Sequence, residues 1–185
     1  MRLTKTFKSA MLEAITKKCQ GGTQVNLVQD IKVMNVLGPW QTKSRGNLMV
    51  LFSLSQTINL QEFFKWDKRE LENIPDIRGL RYYIVKDLPK GEIGGVEFHK
   101  VRQELVFATK GAVKWKCEDL YGNQKNTILT SQNGIWLPHF ILHTYEVLVE
   151  GTELAVVANT TFDPEDSQTH DTFSAAEFRE IQRLQ

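Results

Sequence analysis

Glu97, His99 and Glu104 lie between two glycines in the stretch GEIGGVEFHKVRQELVFATKG, and His143 follows further along the chain. From Gly91 the spacing runs five residues to Glu97, one to His99, four to Glu104 and six to Gly111. Side chains two apart on a strand face the same side. Glu97 and His99 therefore share one face, with Val96 and Phe98 on the other. An imidazole beside a carboxylate is equipped for general acid–base catalysis. A carboxylate whose pKa is raised by burial is also an acceptable base. The same residue types suit a metal. Two carboxylates facing one apolar cavity repel each other, and a divalent cation removes the conflict. Mixed nitrogen and oxygen donors suit iron, manganese, nickel or zinc. A lone Glu-x-His on a strand is more often a surface pair, but the spacing together with His143 favours an inward cluster. Glu104 has competing partners in Lys100 and Arg102.

The elements that must hold these groups are strands. Leu105 to Thr109 ends at the turn signal Lys110-Gly111. Val113, Trp115 and Cys117 then alternate with Lys114, Lys116 and Glu118, the clearest half-buried strand of the chain. Tyr121-Gly122-Asn123 supplies a turn, and a second strand ends in Ile135-Trp136-Leu137-Pro138. His143 lies five residues past that proline. Arg81 to Leu88 reads as a strand closed by Pro89-Lys90-Gly91, and Gly46 to Ser53 as a buried one. Val25 to Val36 reads as one or two strands, with a break at Leu37-Gly38-Pro39. Two helices flank the strands. Leu3, Phe7, Met11, Ala14 and Ile15 give the basic N-terminal segment an amphipathic face, and Glu13 argues against an organelle-targeting segment. At the other end Ser174 with Glu177 forms a capping box before Phe178, Ile181 and Leu184. Asn59 with Glu62 resembles another, opening a short helix with Leu60, Phe63, Phe64 and Leu71. Phe63, Phe64 and Trp66 are read as packing residues.

Composition narrows the function. The 185 residues suit one domain, and 41% hydrophobic residues suffice for a core. A net charge of +1 argues against a strong electrostatic claim on nucleic acid or membrane. No apolar run approaches the roughly 18 residues of a membrane span. Cys19 and Cys117 are far apart, which favours a reduced, cytoplasmic setting, and Cys117 reads as a buried inert thiol. His139 reads as a turn residue, His170 as solvent-exposed in DSQTHD, Lys100 and Lys110 as solvated charges, and Gly91, Gly94 and Gly95 as a turn.

The spacing from Gly91 to Gly111 resembles the first motif of the cupin barrel, with Glu97 where that motif usually has its first histidine. Pro138 to His143 resembles the second, with Phe140 in place of its glycine. From about Arg45 to Asp166 the chain further resembles the dTDP-sugar 3,4-ketoisomerase family, the WxcM-like cupins. The resemblance rests on Arg45-Gly46-Asn47-Leu48, Ile74-Pro75, Arg81-Tyr82-Tyr83-Ile84 with Asp87 and Pro89, the His99-Lys100 pair, and Phe162-Asp163 with Asp166. Ile93 and Gly94 stand where the family has two arginines, Glu104 where it has a glutamine, and Leu142 where it has a tryptophan.

The resemblance implies an all-β fold, a cupin (RmlC-like double-stranded β-helix, jelly-roll) barrel with N- and C-terminal helices. It divides the chain into an N-terminal extension over 1–44, the barrel over 45–166 and a C-terminal helix over 167–185. It implies an isomerase that shifts a carbonyl between neighbouring ring carbons of a nucleotide-linked keto sugar without a cofactor. His99 takes the base position with Glu97 as partner, and Arg81, Tyr83, Glu104 and His143 contact substrate. It also implies a homodimer paired through sheet edges. Two other readings stand beside it. One is a metal-dependent lyase, isomerase or dioxygenase using Glu97, His99, Glu104 and His143. The other is a non-catalytic barrel that binds a carbohydrate or other small ligand.

Overall fold

The computed structural model describes residues 26–53, 60–64 and 77–184. The N-terminal amphipathic helix with Cys19, and also Asn59, Trp66, Leu71 and Ile74-Pro75, lie outside these residues.

The described strands are β1 (Lys32–Asn35), β2 (Leu37–Gln41), β3 (Asn47–Val50), β4 (Arg78–Leu88), β5 (Ile93–Phe98), β6 (Glu104–Lys110), β7 (Val113–Glu118), β8 (Gln124–Leu129), β9 (Asn133–Leu137), β10 (Leu142–Val147), β11 (Thr152–Thr160) and β12 (Phe173–Ser174). One five-stranded sheet has the order β1-β9-β6-β11-β4 and another β12-β5-β10-β7-β8. All their pairings are antiparallel. The all-β expectation holds.

Alternation builds the barrel. Val113, Trp115 and Cys117 of β7 are buried in an interior core with Val106, Ile135 and Leu137. On β6, Val106 and Ala108 join that interior, while Leu105 and Phe107 join a second cluster with Met34, Phe63 and Trp136. Both faces of β6 are thus covered, which is why its residues read as a continuous apolar run. A third cluster places Phe98, the outward-facing residue of β5, against Phe178 and Ile181 of helix α2 (Ala175–Gln182). That helix starts as expected. The Ser174 hydroxyl accepts from the Glu177 amide, and the Glu177 carboxylate accepts from the Ser174 amide. Arg179 forms an ion pair with Glu118, fastening α2 to β7.

Several expectations are corrected. Leu37-Gly38-Pro39 is no break but the start of β2, which pairs with β3 as a separate hairpin. Gly46 to Ser53 is not a buried strand. β3 is half exposed, with Leu48 at 53% and Trp40 opposite it at 50%, because the hairpin belongs to neither large sheet. Phe63 and Phe64 lie in and just after the single turn α1 (Leu60–Phe63) and do pack, Phe63 fully. Within the segment read as an extension, β1 pairs with β9, Met34 opposite Gly134.

Candidate active site

β5 carries the polar cluster, and a bulge aims it. Glu97 pairs with His143 and Gly95 with Thr144, so Val96 has no partner across the ladder. Val96 has φ 64 and is half exposed. The extra residue turns the strand so that Glu97 comes back to the face that Gly94 and Tyr145 also occupy. Gly94 and Gly95 are therefore strand residues, not a turn. A Cβ at Gly94 would lie within normal contact distance of the Tyr145 ring, so that ring fills the space a side chain there would need. This is where the resemblance places a family arginine.

His99 follows the end of β5. Its Nδ1 lies 2.6 Å from the Asp171 carbonyl oxygen. A carbonyl only accepts, so Nδ1 carries the proton, and in the neutral ring the lone pair lies on Nε2. The Arg102 guanidinium, 3.0 Å from the same Nδ1, has other acceptors in the Asp171 carbonyl and the Thr172 hydroxyl. His99 Nε2 is buried and has no hydrogen-bond partner among the described residues. It lies 3.9 Å from Glu97 Oε1 and 3.7 Å from Glu104 Oε1, both too long for a hydrogen bond. His143 is fixed in the same way, with Nδ1 3.0 Å from the Ile141 carbonyl oxygen. The two imidazole centroids are 5.1 Å apart, and Trp115 stacks on His143 at 5.9 Å and on Tyr145 at 5.2 Å.

Glu104 starts β6 with its carboxylate inside the barrel. It accepts from the Tyr83 hydroxyl at 3.1 Å and faces Arg102 Nη1 at 3.3 Å. Burial alone would raise its pKa. The neighbouring His99 first, then the Arg102 guanidinium, outweigh burial and hold the carboxyl well below the usual range. Tyr83 is pushed up by burial and by the Glu104 carboxylate, so it stays a phenol and a donor. Arg81, two residues back on the same face of β4, lies over the Tyr83 ring at 5.0 Å and the Phe162 ring at 5.2 Å. Burial, then the Arg102 charge, lowers its pKa. Burial, then the neighbouring His99, brings His143 down to about 4.

All six residues expected at the site, Arg81, Tyr83, Glu97, His99, Glu104 and His143, thus meet at one end of the barrel. As possible metal ligands they divide. Donor atoms of Glu97, His99 and His143 all lie within 4.8 Å of one another, while Glu104 is held by Arg102 and Tyr83. Arg102 had been only one of two possible partners for Glu104. It proves to be a buried cation reaching Glu104, Thr172 and the His99 ring edge.

Asp171 was missed altogether. Its carboxylate accepts from three successive amides, Lys100 at 3.0 Å, Val101 at 2.9 Å and Arg102 at 2.7 Å, while its carbonyl holds His99. No local signal marks it, since it follows a polar tail and acts on residues about seventy positions away. Lys100 is not a solvated charge. Its ammonium lies 3.6 Å from the Phe173 ring centroid, and burial lowers its pKa to about 8 against the pull of Glu177 and Asp171. His139 sits in a turn, and His170 is exposed and stacked on Phe162. Cys117 is buried in the interior, and burial pushes its thiol up to about 12.

The profile of the family described as FdtA, WxcM-like, C-terminal, matches residues 42–177. No curated protein matches the chain. Among solved structures, a 3,4-ketoisomerase from Helicobacter canadensis is 19% identical, with TM-score 0.58 over 83% of this chain and 98% of that one. The WlaRB TDP-quinovose 3,4-ketoisomerase from Campylobacter jejuni is 18% identical, with TM-score 0.58 over 84% and 99%. A mutant of the QdtA 3,4-ketoisomerase from Thermoanaerobacterium thermosaccharolyticum, in complex with TDP-4-keto-6-deoxyglucose, is 17% identical, with TM-score 0.57 over 85% and 97%. At these identities the likeness shows the fold, and the fold is that of these isomerases. Among the described residues no helix is long and apolar enough to cross a membrane.

Proposed function

The chain belongs to the WxcM-like, C-terminal (FdtA) family, and from that premise we propose that it moves a proton beside the carbonyl of a nucleotide-linked keto sugar, as a 3,4-ketoisomerase does. The observation that carries the reading is the buried, unpartnered Nε2 of His99, whose Nδ1 is tied to the Asp171 carbonyl. A fixed base with a free lone pair inside a barrel is what abstraction of a proton from carbon requires.

In the proposed reaction His99 Nε2 removes the proton from the hydroxyl-bearing carbon next to the ketone. The ketone oxygen gains a proton, giving an enediol. The neighbouring hydroxyl then gives up its proton, and the former carbonyl carbon receives one. One carbonyl becomes a hydroxyl and one hydroxyl a carbonyl, with no net oxidation. Glu97, half-buried at 3.9 Å from His99, is the second group able to relay a proton. Tyr83 is a neutral donor beside Glu104. Arg81, at the end of the same face, supplies a cation for the charged part of the substrate.

The reading includes a cytoplasmic homodimer. Its support for pairing is β4, at the edge of its sheet among the described residues, which exposes Leu80, Tyr82 and Ile84 on one face. Sedimentation showing only monomer would remove that part.

The chemical test uses TDP-4-keto-6-deoxyglucose in deuterated water, followed by proton NMR. The wild type is expected to exchange the carbon-bound proton next to the ketone and to form the 3-keto isomer. His99→Asn is expected to slow exchange roughly 10²–10⁴-fold, the usual contribution of a positioned base. Full activity in His99→Asn would remove the mechanism. A wild type that binds the sugar nucleotide without exchange would leave only the ligand-binding reading.

A further inference from the structure

We propose that Arg102 is a positioning residue for the base. It holds the Glu104 carboxylate so that the Nε2 lone pair of His99 stays open to substrate. The proposal deepens the isomerase reading and rests on it for the effect on rate.

Arg102 is buried and works at both ends of its guanidinium. Nη2 lies 2.5 Å from the Thr172 hydroxyl, 3.1 Å from the Asp171 carbonyl and 3.0 Å from His99 Nδ1. Nη1 lies 3.3 Å from Glu104 Oε1. Nε is also buried and has no hydrogen-bond partner among the described residues. The fork formed by the two terminal nitrogens therefore ties Glu104 to the segment whose carbonyl holds the His99 ring. A lysine, with one nitrogen, cannot span both.

Three groups meet at Glu104 Oε1. It accepts from the Tyr83 hydroxyl at 3.1 Å, faces Arg102 Nη1 at 3.3 Å and stands 3.7 Å from His99 Nε2. The Asp171 carbonyl imposes the tautomer with the proton on Nδ1, so Oε1 and Nε2 face each other as two acceptors. An approach of about 0.7 Å would bring them to hydrogen-bond distance, but only with a proton between them. Little water screens a carboxylate inside the barrel. Without a counter-charge Glu104 would be satisfied by a proton on Nε2, and the ring would lose the lone pair that takes a proton from carbon. Arg102 supplies the positive charge from the other side instead.

The remaining groups facing His99 do not replace it. Glu97 stands 3.9 Å from Nε2, but its side chain is 34% exposed and water screens its pull. His143 is tied through Nδ1 to the Ile141 carbonyl and brings no negative charge. Glu104 is thus the carboxylate that must be held, and Arg102 is the cation in contact with it.

The test reads the protonation of His99 directly, in long-range ¹H–¹⁵N spectra of the full chain near neutral pH. In the wild type Nδ1 is expected to carry a proton and Nε2 none. A protonated Nε2 in the wild type would overturn the proposal, and this measurement needs no variant that might fail to fold. In Arg102→Gln, Nε2 is expected to gain a proton. Proton exchange in TDP-4-keto-6-deoxyglucose should then fall roughly 10²-fold in kcat, with KM within a few-fold, as for loss of a positioned base. Adding Glu104→Gln removes the carboxylate that draws the proton, and should free Nε2 and recover at least tenfold of the lost rate. A purely architectural Arg102 predicts a double variant no better than the single one, and that result would sink the proposal. So would an unprotonated Nε2 in Arg102→Gln. The spectra use no substrate. A free wild-type Nε2 that becomes protonated in Arg102→Gln would support the action of Arg102 even where no exchange is seen, which would count against the isomerase reading alone.

Discussion

Replacing Asp171 by alanine is expected to be among the most damaging single changes outside the apolar core. Its carboxylate, on a residue 6% exposed, accepts from the amides of Lys100, Val101 and Arg102 at 3.0, 2.9 and 2.7 Å. A hydrogen bond to a charged group contributes about 1.5–3 kcal/mol, and an orphaned buried donor costs about 1–3 kcal/mol. The three bonds share one carboxylate and do not add fully, and water reaches part of the gap. A loss of about 3–5 kcal/mol follows, or roughly 6–20 °C in Tm for a domain of this size. Urea unfolding followed by tryptophan fluorescence measures it. Asp171→Asn keeps one acceptor oxygen and should lose about half as much. The His99 Nδ1–H resonance should broaden or vanish in Asp171→Ala, because the segment carrying its acceptor carbonyl is released. A loss below about 1 kcal/mol with an unchanged His99 signal would refute the reasoning.

Two further outcomes are expected. Arg102→Met strands the buried Glu104 carboxylate, with an expected loss of about 3–5 kcal/mol. Adding Glu104→Gln should recover part of that loss, and strictly additive effects in the double-mutant cycle would sink the pairing argument. Cys117 has a folded-state pKa of about 12 against an ordinary 9.0. Between those values the unfolded chain has released the thiol proton and the folded chain has not. The thiol's contribution is therefore complete below about pH 9 and is lost as pH rises toward 12, by up to about 4 kcal/mol. Wild type and Cys117→Ala should accordingly differ in the slope of stability over that window. Parallel slopes, or rapid alkylation of native Cys117 near pH 8, would contradict it.

What the sequence disclosed was what repeats locally. The alternation of β7, the capping box at Ser174 and the i, i+2 relation of Glu97 to His99 are fixed by one or two turns of backbone, and each is found in the structure. The edge of β2 and β3 was misread because apolar residues there pair within a hairpin rather than inside the barrel. Lys100 was misread because a long amphipathic stem can bury itself and lay its charge on a ring, here Phe173, that arrives from the far end of the chain. Arg102 and Asp171 escaped for the same reason. Their partners are set by how the segment leading into β12 lies beside β5, and a polar residue in a polar tail gives no hint of that pairing. The bulge at Val96 was also silent, since no residue type there demands a left-handed backbone.

The close approach of Gly94 and Tyr145 limits which side chains position 94 accepts. A side chain at position 94 and the Tyr145 ring compete for one volume, so an arginine there requires the ring to swing aside. Returning the family arginine by itself would force the ring off Trp115 and disturb the stack that ends on His143. A variant that carries an arginine at position 94 is therefore best paired with a smaller residue at position 145, which removes the ring the arginine would displace.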